Sequence, residues 1–376
     1  MRVLSLFSGI GAFEAALRNI GADFELVNYC EIDKFASSSY AQIHNVSESL
    51  NLHDVTTIDP DKIGPVGLIT YGFPCQDIST AGRQRGFECD GVRTRSGLFY
   101  EALRIIEGCR PIYAIAENVK ALTGTKFKAE FAAVLGGLAD AGYNNYYSVL
   151  NAKDYGIPQN RERVFIVSIR KDCDAGCFSF PDKIPLFLRL KDFLESSVDK
   201  KFYLNTEKAA RLLDSLNRSY VPPGSCIDDT QNFDDSPRVY EDTVPTLRSG
   251  RSGLMVVEDA PKIICPVNAE KDGTARTIKA QYYKTSVANM IRTGSHGATG
   301  VMAEFPDAGW RLRKLTPREC WRLMGFLDSD FDRVKNISNA QLYKQAGNSI
   351  CVPVLERIFI KLLEHENFRK ILGMGD

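Results

Sequence analysis

Arg2-Val-Leu-Ser-Leu-Phe7-Ser8-Gly9-Ile10-Gly11 is a short apolar run that breaks at two glycines, and the helical spacing of residues 12–19 follows at once. A run of that length bounded by glycine reads as a buried strand. A strand that turns on glycine into a helix is the opening unit of a doubly wound sheet. Working outward, residues 24–31 read as a second strand and 34–44 as a second helix. Residues 66–71 form a short apolar run, 97–107 are amphipathic, 113–117 are a strand and 126–141 a helix. Residues 146–150 and 163–169 are rich in β-formers. Strands separated by helices predict an α/β fold: a doubly wound, mainly parallel, Rossmann-like sheet covered on both faces.

The texture changes near residue 183. From there to 310 the chain is rich in Gly, Ser, Thr, Asp and Pro, and periodicity is scarce. That is too long for a structureless loop, so a smaller, irregular, β-rich domain is expected. Order returns at 341–360, with an amphipathic helix over 354–363. The expected division is 1–183 for the sheet domain, 184–334 for the second domain with its hinge, and 335–376 for a segment returning to the first. Thr243-Val-Pro-Thr-Leu-Arg resembles Thr274-Ala-Arg-Thr-Ile-Lys, an echo too short for a repeat architecture.

Composition excludes little. Lys plus Arg number 47 and so do Asp plus Glu, so any polyanion-binding surface must come from local segregation of charge. Ten cysteines lie without a framework pattern, and no apolar run approaches a membrane span or a leader. These features predict a soluble, cytoplasmic protein with reduced thiols and no membrane partner. Cys173 and Cys177 lack a second pair or a nearby His, and four scattered His give no metal cluster, so no metal is expected.

Glycines 9 and 11 let the backbone turn sharply and a ligand approach. Glu31 closes the second strand twenty positions after Gly11, where doubly wound folds grip ribose hydroxyls. A dinucleotide site needs a third glycine for its pyrophosphate, and Glu14 stands there instead. A ligand with ribose but no phosphate fits better, and S-adenosylmethionine is one; a purely structural turn is the alternative.

Gly72-Phe73-Pro74-Cys75-Gln76 follows the third strand, which puts Cys75 beyond its carboxyl end, where ligands of such sheets sit. Residues 76–96 form a long polar segment with Arg83, Arg85, Arg93 and Arg95 against Glu88 and Asp90. A basic lid over a cysteine suggests an anionic substrate, and nearby cations would favour the thiolate. Glu117-Asn118-Val119 ends another strand, and Gln159-Asn160-Arg161-Glu162-Arg163 opens the next, with both arginines on one side by alternation. Singly, these read as a core cysteine, a helix cap and an ion-paired edge. Their placement at one sheet edge is what makes them a candidate site.

FSGIG, GFPCQ, ENV, QNRERV, RKLTPRECWRLMGF and YKQAGNS occur in that order. Together they resemble the motif set of bacterial and phage DNA cytosine-C5 methyltransferases, over the ordered first half and the last 65 residues. The resemblance implies methyl transfer from S-adenosylmethionine to C5 of a cytosine flipped out of duplex DNA. Cys75 is then the nucleophile at C6, Glu117 the group at N3, Arg163 a contact on the O2 side, and Arg161 a residue that fixes the active-site geometry. Phe7 would pack on the adenine, with Ser8, Gly9, Ile10 and Gly11 forming the turn around the cofactor. Glu31 would take the ribose with Ile32 beside it, and Asp54 the adenine amino group with Val55 beside it. Pro74, Asn348 and Ser349 would complete the cofactor pocket.

Segment 183–310 occupies the family's target-recognition position. DNA contacts are expected from Gln76, Ser79, Arg83 and Arg85 in the loop, and from Arg248, Arg276, Lys279, Gln281 and Tyr282 in that segment. The family carries a Thr-Leu-like pair. Thr246-Leu247 and Thr277-Ile278 both qualify, and the second is favoured for base reading because Gln281 and the tyrosines follow it. Thr316 should cap a helix at Pro317, and Arg318 should be structural. Two departures stand out: extra residues around 89–95, and Asn160 where a basic residue is common. The expected partner is double-stranded DNA, met as a monomer, with a cognate restriction endonuclease as a possible companion. A transfer RNA is the alternative substrate.

Overall fold

The protein is described from a computed structural model covering residues 1–75, 77–78, 86–89, 92–205, 224–228, 237–248, 254–259, 310–365 and 368–369. It divides into two units. The first holds Met1–Phe187, Thr246–Ser249 and Trp321–Asp376; the second holds Leu188–Pro245 and Gly250–Cys320.

In the first unit, β1 (Arg2–Leu6), α1 (Ala12–Asn19), β2 (Glu25–Cys30), α2 (Lys34–His44) and β3 (Leu68–Tyr71) alternate as the sequence predicts. A small hairpin, β4 (Glu88–Cys89) and β5 (Val92–Arg93), precedes α3 (Phe99–Cys109). Then follow β6 (Tyr113–Val119), α4 (Lys128–Asp140), β7 (Tyr143–Asn151), the short β8 (Gln159–Asn160) and β9 (Glu162–Arg170). The six-stranded sheet has the order β2-β1-β3-β6-β9-β7. β1, β2, β3 and β6 are parallel, and β9 is antiparallel to both β6 and β7. The direction of β9 matters for the site. Its first residues lie where the parallel strands end, with Val119 paired to Arg163 and Glu117 to Phe165.

The strands are apolar because the sheet is covered. All four residues of β3 are buried, and Ile69 and Tyr71 join Leu4, Leu6, Ala114 and Ala116 in one cluster with Phe99, Ile105 and Ile106 of α3. Helix boundaries follow local chemistry. Gly11 enters α1 with φ +80, and a Cβ there would lie 2.0 Å from His44 Nε2, so glycine is required twice over. Asp33 caps α2 by accepting from Phe35 N and Ala36 N, and Asn45 closes it in the left-handed region.

Glu14, in the first turn of α1, is 1 % exposed, and among the described residues neither of its carboxylate oxygens nor the Tyr40 hydroxyl has a hydrogen-bond partner. Burial pushes its pKa up to about 7, and Ser5 and Tyr40 beside it offset that only in part. A folded-state pKa above the unfolded one means that the native protein holds the proton more tightly. Stability is therefore full below the ordinary carboxylate range and is lost as pH rises toward 7 and beyond. We expect Glu14→Gln to gain about 3 kcal/mol relative to the parent between pH 4.5 and pH 8, read as the difference of their urea midpoints. A pH-independent difference would show that Glu14 does not titrate there.

The second unit contains β10 (Cys226–Asp228), β11 (Arg238–Tyr240), β12 (Val244–Pro245), β13 (Leu254–Asp259) and β14 (Trp310–Lys314). β11, β10, β13 and β14, in that order, form a wholly antiparallel sheet. These described strands meet the expectation of a β-rich second domain. Its polar anchor is Arg313, fully buried, which meets Glu319 through both terminal nitrogens at 2.7 Å and Glu258 through Nε at 2.5 Å. Thr316 N and Glu195 N donate to the same Glu319 carboxylate, and Arg318 pairs with Glu195 at 3.5 Å. Thr316 thus opens α5 (Pro317–Arg322) as the sequence suggests, but within an ion network that the motif alone does not reveal.

The chain rejoins the first unit at Trp321, earlier than residue 335. The cause is packing. The Trp321 indole donates to Leu342 O at 3.0 Å, and its ring meets Phe326 and Phe331. Phe331 lies in α6 (Asp328–Val334), and Leu342 in α7 (Asn339–Asn348), which leads to α8 (Val352–Leu362).

Candidate active site

Three strand ends of the first unit converge on one chemistry. At the end of β1, Phe7 and Gly9 both take positive φ, so the loop reverses tightly. Ser8 locks it to β2: its N–H donates to Cys30 O at 3.0 Å, and its hydroxyl to Ser5 O at 3.0 Å. Gly9 N then donates to Glu31 Oε2 at 2.8 Å, while Glu31 Oε1 accepts from Asp33 N at 2.7 Å. Burial raises the Glu31 pKa, and these two backbone donors partly restore it.

Asn51 holds the backbone of this corner. It accepts from Glu31 N and His53 N, and donates to Glu31 O and Ser37 Oγ. Ile32 is 76 % exposed, an apolar side chain left in the open beside a carboxylate. Ile10 is buried, and its carbonyl meets His44 Nε2. Asp54 Oδ1 accepts from both Thr56 N and Thr56 Oγ1, which sets the carboxylate's direction. Val55 is a core residue, so its side chain is not available to a ligand.

At the end of β3, Pro74 and Cys75 are half-buried. Asn118, buried, donates from Nδ2 to Phe73 O at 3.0 Å and so ties the cysteine's loop to the strand that carries Glu117. Glu117 Oε1 pairs with Arg163 Nε at 3.0 Å, and its Oε2 lies over Gly72, where a Cβ would be 3.8 Å away. Burial raises the Cys75 pKa, Glu117 raises it further, and Arg163 and Arg161 pull it back. The sequence suggested that nearby cations would favour the thiolate, and Arg163 and Arg161 do act in that direction. Among the described residues burial outweighs these two, and Arg93 of the expected lid is turned to Glu101 and the Tyr100 ring. Burial also raises the Glu117 pKa against the pull of Arg163 and Arg161, so its carboxyl holds a proton more readily than an exposed one.

Arg161 is 3 % exposed and is spent on backbone. It donates to Leu247 O at 3.1 Å, Gly347 O at 3.2 Å and Ser349 O at 2.5 Å. Burial lowers its pKa to about 9. Gln159, fully buried, donates to Leu323 O at 2.7 Å and accepts from Leu247 N at 3.2 Å. Thr246 Oγ1 donates to Asn160 O at 2.7 Å. Gln159, Asn160 and Arg161 therefore pin the short segment that begins at Thr246. The pair Thr246-Leu247 belongs to this catalytic unit, and Thr277-Ile278 lies outside the described residues.

Among the other expected contacts, Asn348 is exposed and Ser349 buried at the end of α7, and Arg248 is exposed. Gln76, Ser79, Arg83, Arg85, Arg276, Lys279, Gln281 and Tyr282 lie outside the described residues. Sequence reasoning assigned no role to Asn51, Asn118 or Gln159. Asn118 and Gln159 stood inside quoted motifs, and that was the only signal.

A doubly wound sheet with a glycine turn on its first strand, an acidic end to its second and a thiol beyond its third defines an enzyme of the class I methyltransferase fold. A solved structure of the Dnmt2 methyltransferase of S. pombe shares that fold, with TM-score 0.65 over 97 % of this chain and 98 % of that one, at 21 % identity. The family model for C-5 cytosine-specific DNA methylases matches residues 1–364, and the chain belongs to that family of DNA cytosine-5 methyltransferases. Relatives include the orphan methyltransferase M.SPBetaI of Bacillus phage SPbeta, 36 % identical over 96 % of this chain and 97 % of that protein. Another is the type II methyltransferase M.Bsp6I of Bacillus sp. (strain RFL6), 33 % identical over 95 % and 97 %.

Proposed function

We infer that the enzyme methylates C5 of a cytosine rotated out of double-stranded DNA, with S-adenosylmethionine as donor and Cys75 as a transient covalent partner. The observation that carries this reading is the cluster of Cys75, Glu117 and Arg163 at one sheet edge. The cofactor's fit rests on the neighbouring corner. Glu31 offers a carboxylate to ribose hydroxyls and disfavours a phosphate, and Phe7 and Ile32 offer apolar surface to a base. Asp54, Pro74, Asn348 and Ser349 border it in the same reading. When bound, the sulfonium supplies the methyl group.

Cytosine C5 is a poor nucleophile. Addition of the Cys75 thiolate to C6 breaks the ring's conjugation and loads electron density onto C5. Glu117, with its raised pKa, supplies a proton or a strong hydrogen bond at N3, and Arg163 steadies charge on the O2 side. After methyl transfer, loss of the C5 proton and expulsion of the Cys75 sulfur restore the aromatic ring. The thiol cannot reach C6 inside a stacked duplex, so the base must leave the helix, at a cost of about a few kcal/mol. Arg161 acts by holding three carbonyls around the site. Arg248 and the loop and recognition-segment residues named above are the proposed DNA contacts, and a restriction endonuclease is a proposed companion rather than a binding partner.

The test is a covalent trap. Duplex DNA with 5-fluorocytosine at every cytosine, incubated with enzyme and S-adenosylmethionine, is expected to yield a denaturant-resistant protein–DNA adduct at Cys75, because fluorine at C5 cannot leave as the proton does. No adduct, or one at another residue, overturns the mechanism. Greater methyl transfer to transfer RNA than to duplex DNA overturns the substrate.

A further inference from the structure

Two consecutive side chains of α7 grip the first turn of α2, a contact the mechanism above does not use. Lys344 Nζ lies 2.6 Å from Asp33 Oδ2, with the two side chains 44 % and 27 % exposed. Gln345, buried, donates from Nε2 to Phe35 O at 3.1 Å and to Ser39 Oγ at 2.8 Å. Asp33 has three tasks. Its Oδ1 caps α2, its Oδ2 meets Lys344, and its N–H donates to Glu31 Oε1. The far oxygen of Glu31 accepts from Gly9 N, so an unbroken chain of charge and hydrogen bonds runs from Lys344 to the glycine turn.

The same helix leads, four residues on, to Asn348 and Ser349, and Ser349 N donates back to Gln345 O at 3.0 Å. The two sides of the cofactor corner come from opposite ends of the sequence. Nothing local in either one sets the distance between them; the grip of α7 on α2 acts there beside the hold of Arg161 on Gly347 O and Ser349 O.

We propose that Lys344 is a positioning residue for the cofactor: through Asp33 it holds the Glu31 carboxylate and the turn at Asn348 and Ser349 in one frame. This rests on the reading of Glu31 as the ribose acceptor. Lys344 acts without touching the cofactor. Its loss leaves Gln345 to keep α7 docked and Asp33 Oδ1 to keep α2 capped, but it releases the Asp33 loop on which Glu31 depends. A partly exposed ion pair of this kind is worth about three- to fivefold in affinity when lost.

The experiment measures S-adenosylhomocysteine binding by calorimetry, and kcat and KM for S-adenosylmethionine, in the full-length enzyme. Lys344→Met is expected to raise Kd and KM about three- to fivefold, with kcat at saturation within about twofold of the parent. Lys344→Arg, which can still reach a carboxylate, should recover most of the affinity. Asp33→Asn keeps an acceptor for the cap but loses the charge, so it reads the same lock should Lys344→Met fail to fold. Its effect and that of Lys344→Met should not add in the double variant.

Parent-like cofactor affinity in Lys344→Met, or additive losses in the double variant, overturns the proposal. Glu31→Ala separates the two levels. If it weakens cofactor binding while Lys344→Met does not, the ribose assignment stands and the positioning role falls. If Glu31→Ala binds like the parent, the ribose assignment itself falls.

Discussion

Cys75→Ser is expected to lose methyl transfer by a factor on the order of 10⁴ or more while binding DNA within about threefold of the parent. The substitution is nearly isosteric, so the loop that Asn118 ties to β6 keeps its shape. What disappears is the nucleophile, because a serine hydroxyl is far less acidic than a thiol and Glu117, which pairs with Arg163, is too weak a base to make it an alkoxide. Single-turnover methylation and gel-shift affinity measured on the same preparations separate chemistry from binding. Turnover near the parent's rate would remove Cys75 from the mechanism.

The parent carries a further signature. Burial holds the thiol's pKa above the ordinary cysteine range, and the thiolate is the reactive form. Adduct formation with fluorinated DNA should therefore keep accelerating through and past the pH at which an exposed cysteine is fully ionised. A rate already flat at neutral pH would show instead that bound DNA lowers the thiol.

Arg313→Met is expected to destabilise the second unit by about 3–5 kcal/mol, the scale seen when one partner of a buried ion pair is removed. Arg313 is fully buried, its three guanidinium nitrogens meet Glu258 and Glu319, and Glu319 is itself 0 % exposed. Methionine fills much of the volume but leaves the Glu319 carboxylate with only the N–H groups of Thr316 and Glu195. A melting curve that resolves the loss, beside an unchanged S-adenosylhomocysteine affinity in the first unit, is the expected pair of results. A shift under about 1 kcal/mol would mean that the network is dispensable.

Much of the first unit was legible because its signals are local. Helices over 12–19 and 34–44 are found with the same bounds, since Gly11, Asp33 and Asn45 cap them through neighbouring backbone. Strand positions followed from apolar runs that only a covered sheet can use, with end errors of one or two residues at β1, β2, β3, β6 and β9 and of three at the start of β7. The candidate catalytic residues could be named because each sits at a strand end, where a doubly wound sheet gathers what it binds.

Composition located a β-rich second unit without revealing how its strands pair. The described strands of the Gly- and Ser-rich segment pair with β14 in an antiparallel sheet, and their partners could not be read because pairing between distant strands leaves only a short alternating trace in each. The return at Trp321 depends on an aromatic cluster and one indole hydrogen bond, neither of which has a sequence period.

The amino-acid order alone therefore determined the alternation of strands and helices, the turn at Gly9 and Gly11, and the identity of the thiol, the carboxylate and the guanidinium pair. These rest on interactions between residues a few positions apart, whose geometry the backbone enforces. Only the folded chain decided that β9 runs antiparallel and delivers Arg163 to Glu117, that Arg161 is consumed by three carbonyls, and that Lys344 reaches Asp33 across 311 positions. Such contacts are selected by the packing of whole elements, and a side chain's partner at that separation has no local signature to read.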